Sequence, residues 1–424
     1  EWNENYPGYH GLGYYNQTNA DRLDKVMAYA EKHKIYINLE TYNHGAFSTG
    51  IDPEWLQNPY CKTQKGGILQ YATDFFSDKR AQVLYLQRMR YTIARWGYST
   101  AIAWWGVITE AEWVEPYSRF LGRKSRYPNS LYSPVPYKTK IHKETYLDWM
   151  NDIAKYIKRN NAHPQIVTTH FSNPHNGKEI WAKESMEVPQ NNAYTYFQGQ
   201  FPRKGKYAYS KGVADVMYKY GRMYETYGKP YIISEWGGHP TKNTEGHLKA
   251  ELHTGIWANY MTTSAGNTGY WWWNLLDGED LYFNFKAIAD FNKGEDRRNK
   301  NLKSYRAELH FASNPQGQPN RPLRYGLILS NQSELFAYIY HRKINMEKRS
   351  FFVKSSSDAR FADSGIGQMD LPFNMKNGNY KLEYWDTFTG KIIKSITVKV
   401  SDANKRVRVL NHKVDIAIKM KLMK

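Results

Sequence analysis

Two glutamates, Glu110 and Glu235, each close an apolar stretch, in Trp105-Gly-Val-Ile-Thr-Glu110 and in Tyr231-Ile-Ile-Ser-Glu235-Trp-Gly-Gly. An acid at the end of a buried run is costly unless its charge is paired or used. One such acid is equally well explained as an ion-pair partner. Two of them, with tryptophan and histidine nearby, offer a nucleophile and a proton donor, provided their environments hold one ionised and the other protonated at the same pH. Glu112, two residues past Glu110, is the rival for the acid role. Tight metal-ligand spacing is missing among His163, His170 and His175, and no phosphate-cradling Gly-x-x-x-x-Gly-Lys loop occurs. With Cys61 the lone cysteine, an internal disulfide and a cysteine-based zinc site are both excluded. No cofactor is expected.

The surroundings narrow the ligand. The 424 residues include 14 Trp, 36 Tyr and 17 Phe, and the formal charge is +19. Aromatic faces with polar edges suit sugars, and together with positive charge they also suit single-stranded nucleic acid. No RNP-like, OB-like or helix-turn-helix signature supports nucleic acid. Hydrophobic residues at 41% argue against disorder, and no apolar run approaches the roughly 18 residues that would span a bilayer.

The elements that must position these residues alternate. Strands are expected at Ile35–Tyr42, Ala101–Ile108, Gln165–Phe171, Ala193–Phe197, Pro230–Ser234 and Thr268–Trp273. Helices are expected from about residue 20, capped by Asn19 or Asp21, and at about 79–96, 144–161, 212–227 and 246–263. That order predicts a parallel sheet, open or closed into a barrel, with chemistry at the carboxyl ends of its strands. From 303 onward the pattern changes to short alternating runs, among them Leu335–Tyr340, Ser350–Val353, Tyr380–Trp385, Ile392–Val400 and Val414–Met420. Turns such as Asn377-Gly378 and Thr389-Gly390 separate them, which predicts an all-β sandwich. This part carries 22 Lys and Arg against 10 Asp and Glu. The expected domains are therefore 1–302 and 303–424.

Taken in order, the motifs resemble clan A of the glycoside hydrolases, the retaining (β/α)8 TIM-barrel enzymes, and within it a cellulase-family-5-like group. Lys229-Pro-Tyr-Ile-Ile-Ser-Glu235-Trp-Gly-Gly is similar to the nucleophile motif of the seventh strand. Trp105-Gly-Val-Ile-Thr-Glu110 is similar to the acid/base motif of the fourth, and Trp273-Asn274-Leu275 to the eighth. His44 matches a sugar-contacting histidine after the third strand, and Asn58-Pro-Tyr60, Phe75-Phe76 and Arg90–Tyr98 look like the same group. The likeness runs over about residues 15–290. It implies that Glu235 attacks, that Glu110 acts as acid and then base, and that Trp273 floors the sugar subsite. It further implies hydroxyl contacts from His44 and His170, a hydrogen bond from Tyr196 to Glu235, and substrate contact by Trp236. Thr109 stands where the group usually has an asparagine that contacts the sugar. Barrel strands one and two find no counterpart in residues 1–18, so the polypeptide is expected to begin upstream of Glu1, or another segment to close the barrel. Secretion, or a periplasmic or cell-surface location, is implied by the resemblance alone.

The stretch from Pro116 to Lys143 holds Arg119, Arg123, Lys124, Arg126, Lys138, Lys140 and Lys143, interleaved with tyrosines and without a single acid. Arginine pairs with sulfate or carboxylate as a fork, so this stretch is either a solvated loop or a reader of an anionic polymer. The expected activity is cleavage of β-glycosidic bonds in a polysaccharide or its oligosaccharides, with a sulfated galactan such as agar, porphyran or carrageenan as the favoured substrate. The alternative is a catalytically inactive carbohydrate-binding protein.

Overall fold

Helix α1 (Gln17–His33) starts earlier than either expected cap, because Asn16 accepts the backbone N–H of Asn19 and satisfies one of the unpaired donors of the first turn. It ends at Lys34, in the left-handed conformation, and the chain turns into strand β1 (Ile37–Glu40). The computed structural model describes residues 8–115, 117–122, 124, 140–194, 212–237, 245–267, 269–312, 323–345 and 355–423. Over these the chain divides into two compact units, Glu1–Asn191 and Asn192–Lys424.

In the first unit, helices and parallel strands alternate. After β1 come α2 (Lys79–Trp96), capped by Asp78, and β2 (Ile102–Gly106). The short α3 (Tyr117–Phe120), the long α4 (Lys140–Asn160), β3 (Ile166–Phe171), the short α5 (Lys178–Trp181) and β4 (Val188–Tyr194) follow. β1 pairs with β2, β2 with β3, and β3 with β4, all parallel. Among the described residues before β1 there is no strand. Between sheet and helices lies a fused aromatic core, in which Phe75 packs against Tyr42, Phe47, Tyr60, Tyr85 and Trp149. β4 begins five residues before its expected start, since its polar run Gln190-Asn191-Asn192 is fully buried rather than exposed.

The second unit continues with α6 (Val213–Tyr224), β5 (Ile232–Gly237), α7 (Glu245–Tyr260) and the two-residue β6 (Gly266–Asn267), which pairs parallel with β5. The sixth expected strand, Thr268–Trp273, holds in part: Tyr270 bridges parallel to Trp236 and the Trp271 N–H donates to Trp236 O at 2.9 Å. Trp273 opens a helix, α8 (Trp273–Gly278), which is followed by α9 (Phe283–Asn292).

From Lys303 the structure is antiparallel. β7 (Lys303–Arg306), β8 (Leu309–Phe311), β9 (Arg324–Ser330), β10 (Glu334–His341), β11 (Gly367–Asp370), β12 (Gly378–Trp385), β13 (Ile392–Val400), β14 (Arg406–Val409) and β15 (Asp415–Leu422) form two sheets. Their orders are β13-β12-β15-β10-β9-β7 and β14-β11-β8. One apolar core, with Phe311, Met369 and Val409 from the small sheet and Leu335, Leu382 and Ile416 from the large one, joins them as a sandwich. The expected strand at Ser350–Val353 lies outside the described residues. Parallel β/α alternation followed by an antiparallel two-sheet region is the fold class expected from the sequence.

Within this unit the helices are fastened to the large sheet by buried polar bonds. His253 of α7 lies 2.8 Å from both Asn284 of α9 and Asp415 of β15, and the Trp257 indole donates to the Thr387 carbonyl. Lys419 of β15 pairs with Glu295 at 3.0 Å and lies over the rings of Phe291 and Trp385.

Candidate active site

Glu110 stands four residues past the end of β2. The strand pattern persists that far, since Val107 N–H donates to Thr168 O and Thr109 N–H to Tyr42 O. Glu110 itself is in the left-handed region, with φ 43° and ψ 50°, a conformation that costs a non-glycine residue about 1–3 kcal/mol. The surroundings impose it. Its N–H points at the ring Nδ1 of His170, 3.4 Å away, and the turn that follows is pinned by Tyr146, whose hydroxyl donates to Ala111 O.

The neighbouring acids do the fastening. Glu112 is fully buried and accepts from Ser172 N–H, Ser172 Oγ, Asn173 N–H and Asn176 Nδ2, at 2.6–3.4 Å. Burial pushes its pKa up, against the pull of those donors. Glu115 is also buried and accepts from the Thr49 hydroxyl. The Glu110 carboxyl, 19% exposed, lies 3.5 Å from Nδ1 of His44. Of the three acids, Glu110 alone keeps this much of its side chain exposed, while Glu112 is taken up by the turn at Ser172–Asn176.

His44 thus stands beside Glu110, a neighbour that the sequence did not suggest. Burial lowers its pKa, opposed by Asp52, whose carboxylate lies 3.3 Å from Nε2. His170 is buried, and its Nδ1 faces the Glu110 backbone N–H. A cavity of about 620 Å³ in this unit reaches Thr109 and is lined also by Glu40, Tyr42, Tyr60 and Arg88.

In the second unit Glu235 sits near the end of β5, and its Oε1 accepts two hydrogen bonds. One comes from the Tyr194 hydroxyl and the other from Asn192 Nδ2 at 3.3 Å. Asn192 and Tyr194 are two residues apart in β4, so the pleat turns both to one face. Burial raises the pKa of Glu235, and the Tyr194 bond pulls it back. Tyr196, the expected donor, lies outside the described residues. The expected start of the strand at Ala193 left out Asn192, although the i, i+2 spacing of an amide and a phenol was the available signal.

Trp236 is corrected. It is 1% exposed, packs on Tyr270 at 4.8 Å, and leans so closely on α7 that a Cβ at Gly255 would lie 2.2 Å from its ring. It is core, without a face for substrate. Trp273, by contrast, is 71% exposed, and Trp271 and Tyr282 are about half exposed. Of the basic stretch, Lys124 is exposed, and Arg119 lies in α3. Arg123 and Arg126 lie outside the described residues. Lys143 is removed from the set of readers, because it is buried, paired with Glu179 at 2.7 Å and seated over the Phe120 ring. Among the described residues no group of three His, Cys, Asp or Glu could hold a metal ion, and no helix is long and apolar enough to cross a membrane.

No family model matches the sequence, and no curated protein matches it. Similar solved structures include a family 5 mannosidase from Rhizomucor miehei, 12% identical over 64% of this chain and 68% of its own, with a TM-score of 0.41. A family 30 subfamily 8 xylanase from Clostridium acetobutylicum is 10% identical over 82% and 73%, also at 0.41. A maltogenic α-amylase, AmyB, from Thermotoga neapolitana is 11% identical over 99% and 96%, at 0.45. Values this low leave the functional reading to the residues of this chain.

Proposed function

We propose that the protein is a retaining glycoside hydrolase acting on β-glycosidic bonds of a polysaccharide or its oligosaccharides. The observation that carries this reading is the setting of Glu235, an acid at a strand end with one oxygen held by two donors and the other bare of hydrogen bonds among the described residues. Such a carboxylate is oriented and still nucleophilic. In the first step a Glu235 oxygen bonds to the anomeric carbon while the bond to the leaving oxygen breaks, and Glu110 gives that oxygen its proton. In the second step Glu110 takes a proton from water, the water oxygen bonds to the anomeric carbon, and the ester to Glu235 breaks. Two inversions give retention.

His44, whose Nδ1 lies 3.5 Å from the Glu110 carboxyl and whose basicity burial lowers, is suited to orient the acid. The exposed faces of Trp271 and Trp273 suit stacking on sugar rings. Reducing-sugar release from a panel of neutral and sulfated polysaccharides tests the activity. Proton NMR of the first-formed anomer tests the stereochemistry, and inversion would reject the double displacement. Binding without release would make the protein a carbohydrate-binding module, a reading that Thr109, in place of the expected asparagine, keeps in play.

The finer substrate proposal is a sulfated galactan, read by Arg119, Arg123, Lys124 and Arg126, and with it a secreted or cell-surface setting. An exposed pair contributes about 0–1 kcal/mol. Replacing all four by Gln, a loss of about 2–3 kcal/mol, should raise KM on the anionic polymer roughly 30- to 150-fold at nearly constant kcat. The effect should shrink with added salt, and KM on a neutral polymer should barely move. Equal losses on both polymers would make the stretch structural.

A further inference from the structure

We propose that Asn192 is a positioning residue for Glu235, supplying from β4 a second donor to one carboxyl oxygen and thereby fixing which oxygen of Glu235 attacks. The inference rests on the hydrolase reading above. Asn192 is 1% exposed and its Nδ2 lies 3.3 Å from Glu235 Oε1. Tyr194 donates to the same oxygen. One donor leaves a carboxylate able to swing about its own axis. Two donors two residues apart on one strand face define the carboxylate plane, because the strand fixes their spacing. With Oε1 held twice, Oε2 keeps its lone pairs for the anomeric carbon. The assignments divide by strength. The phenol bond is what lowers the Glu235 pKa against burial. The longer amide bond orients.

This division predicts separable defects. Asn192→Ala removes the second donor without adding charge, so kcat should fall about 10- to 100-fold, the worth of a hydrogen bond to a charged group, with KM changed less than twofold. Asn192→Asp keeps the shape, so the fold is retained, but at neutral pH its carboxylate cannot donate and repels its neighbour. Glu235 should then titrate at a higher pH than in the parent chain.

The titration is read directly on the full chain, labelled with 13C at the glutamate side-chain carboxyl and assigned by subtracting the Glu235→Gln spectrum. Kinetics use aryl glycosides of whichever sugar the polysaccharide panel identifies. An upward shift in Asn192→Asp together with a kcat loss in Asn192→Ala is the expected result. An unmoved Glu235 titration in Asn192→Asp, or a parental kcat in Asn192→Ala, overturns the assignment. If the parent chain hydrolyses nothing while the titration still moves, the hydrolase reading fails and the coupling of Asn192 to Glu235 stands.

Discussion

Glu110 and Glu235 are held in different ways. Glu110 is a left-handed residue whose N–H is turned to His170, in a turn tied down by the fully buried Glu112 two residues later, and its carboxyl lies 3.5 Å from His44. Glu235 is placed by its side chain, on a regular strand, with its carboxyl oxygen gripped by Tyr194 and Asn192. A proton donor must change charge during turnover, and strong side-chain donors would lock it in the ionised form. A nucleophile must stay ionised, and such donors help it do so. Under the proposed mechanism, the two donors fixed on Glu235 suit the acid that must stay ionised.

The largest effect should come from breaking the comparison outright. Glu235→Gln should reduce turnover on every substrate by about 10⁵-fold or more, as loss of a covalent nucleophile does. Glu110→Ala should cost about 10²- to 10⁴-fold on natural substrates and far less on activated aryl glycosides, whose leaving group needs no proton. Azide should partly rescue Glu110→Ala with retained configuration, as seen by NMR of the glycosyl azide. Rescue of that kind after Glu235 substitution would reverse the two roles.

Both acids were legible in the sequence because an apolar run ending in Glu is visible without an alignment. What holds them was only partly so. Tyr194 lay inside the expected strand but Tyr196 was read as the donor, and Asn192 lay in a polar run, Gln190-Asn191-Asn192, placed outside that strand. Propensity lost there to tertiary burial. Trp236 was misassigned because tryptophan next to a catalytic acid looks like a sugar platform, while strand alternation sends it to the opposite face, onto α7. Helix α8 took over the end of an expected strand. A run of three tryptophans has strand propensity, and pairing with β5 does persist to Trp271, but Trp273 opens the helix. The antiparallel region was the easiest to read, its alternation surviving in β10, β12 and β15.

The backbone side of the comparison is sharpened by Glu112. Glu112→Gln keeps the shape but replaces one acceptor oxygen with a donor facing Ser172 or Asn173. Leaving such buried groups unpaired costs about 1–3 kcal/mol. The melting temperature should fall. So should kcat, by roughly 10- to 100-fold, while KM stays near the parent value, since Glu110 would leave its strained conformation before any sugar contact is lost. A lower melting temperature with unchanged kcat would mean that Glu110 does not depend on this anchor.

The side-chain half is tested by Tyr194→Phe. Glu235 has to be ionised to attack, and burial already raises its pKa, so the acid limb of kcat/KM should lie above the ordinary glutamate range near about 4.3. Removing the phenol deletes the bond that lowers it. The limb should move to higher pH, and the loss of activity should be severe at pH 5 and modest at pH 8. A loss independent of pH would show that Tyr194 supports geometry and leaves the charge alone.

The smallest effect on turnover is expected at Glu40, a third strand-end acid that shares a raised pKa with Glu235 and lacks its donors. It ends β1, its carboxyl pressed over Gly106 so closely that a Cβ there would lie 1.9 Å from Oε2. Asn38 donates to Oε1 at 2.8 Å, and Oε2 has no partner among the described residues. Burial pushes its pKa up to about 7, against the Asn38 bond. A carboxyl whose pKa is higher folded than unfolded binds its proton more tightly in the native state. Its stabilising contribution is therefore complete below the unfolded value near about 4.3 and is lost as pH rises to about 7. Glu40→Gln cannot ionise. Its thermal stability should match the parent chain at pH 4 and exceed it by up to about 3 kcal/mol at pH 8, since each tenfold difference in proton affinity between the folded and unfolded chain is worth about 1.4 kcal/mol. Activity at pH 7 should change less than twofold, because neither step of the displacement uses this group. A large activity loss with the same stability curve would place Glu40 in the reaction. It would also make a raised pKa at a strand end, rather than the tether on Glu235, the feature that marks a catalytic acid in this protein.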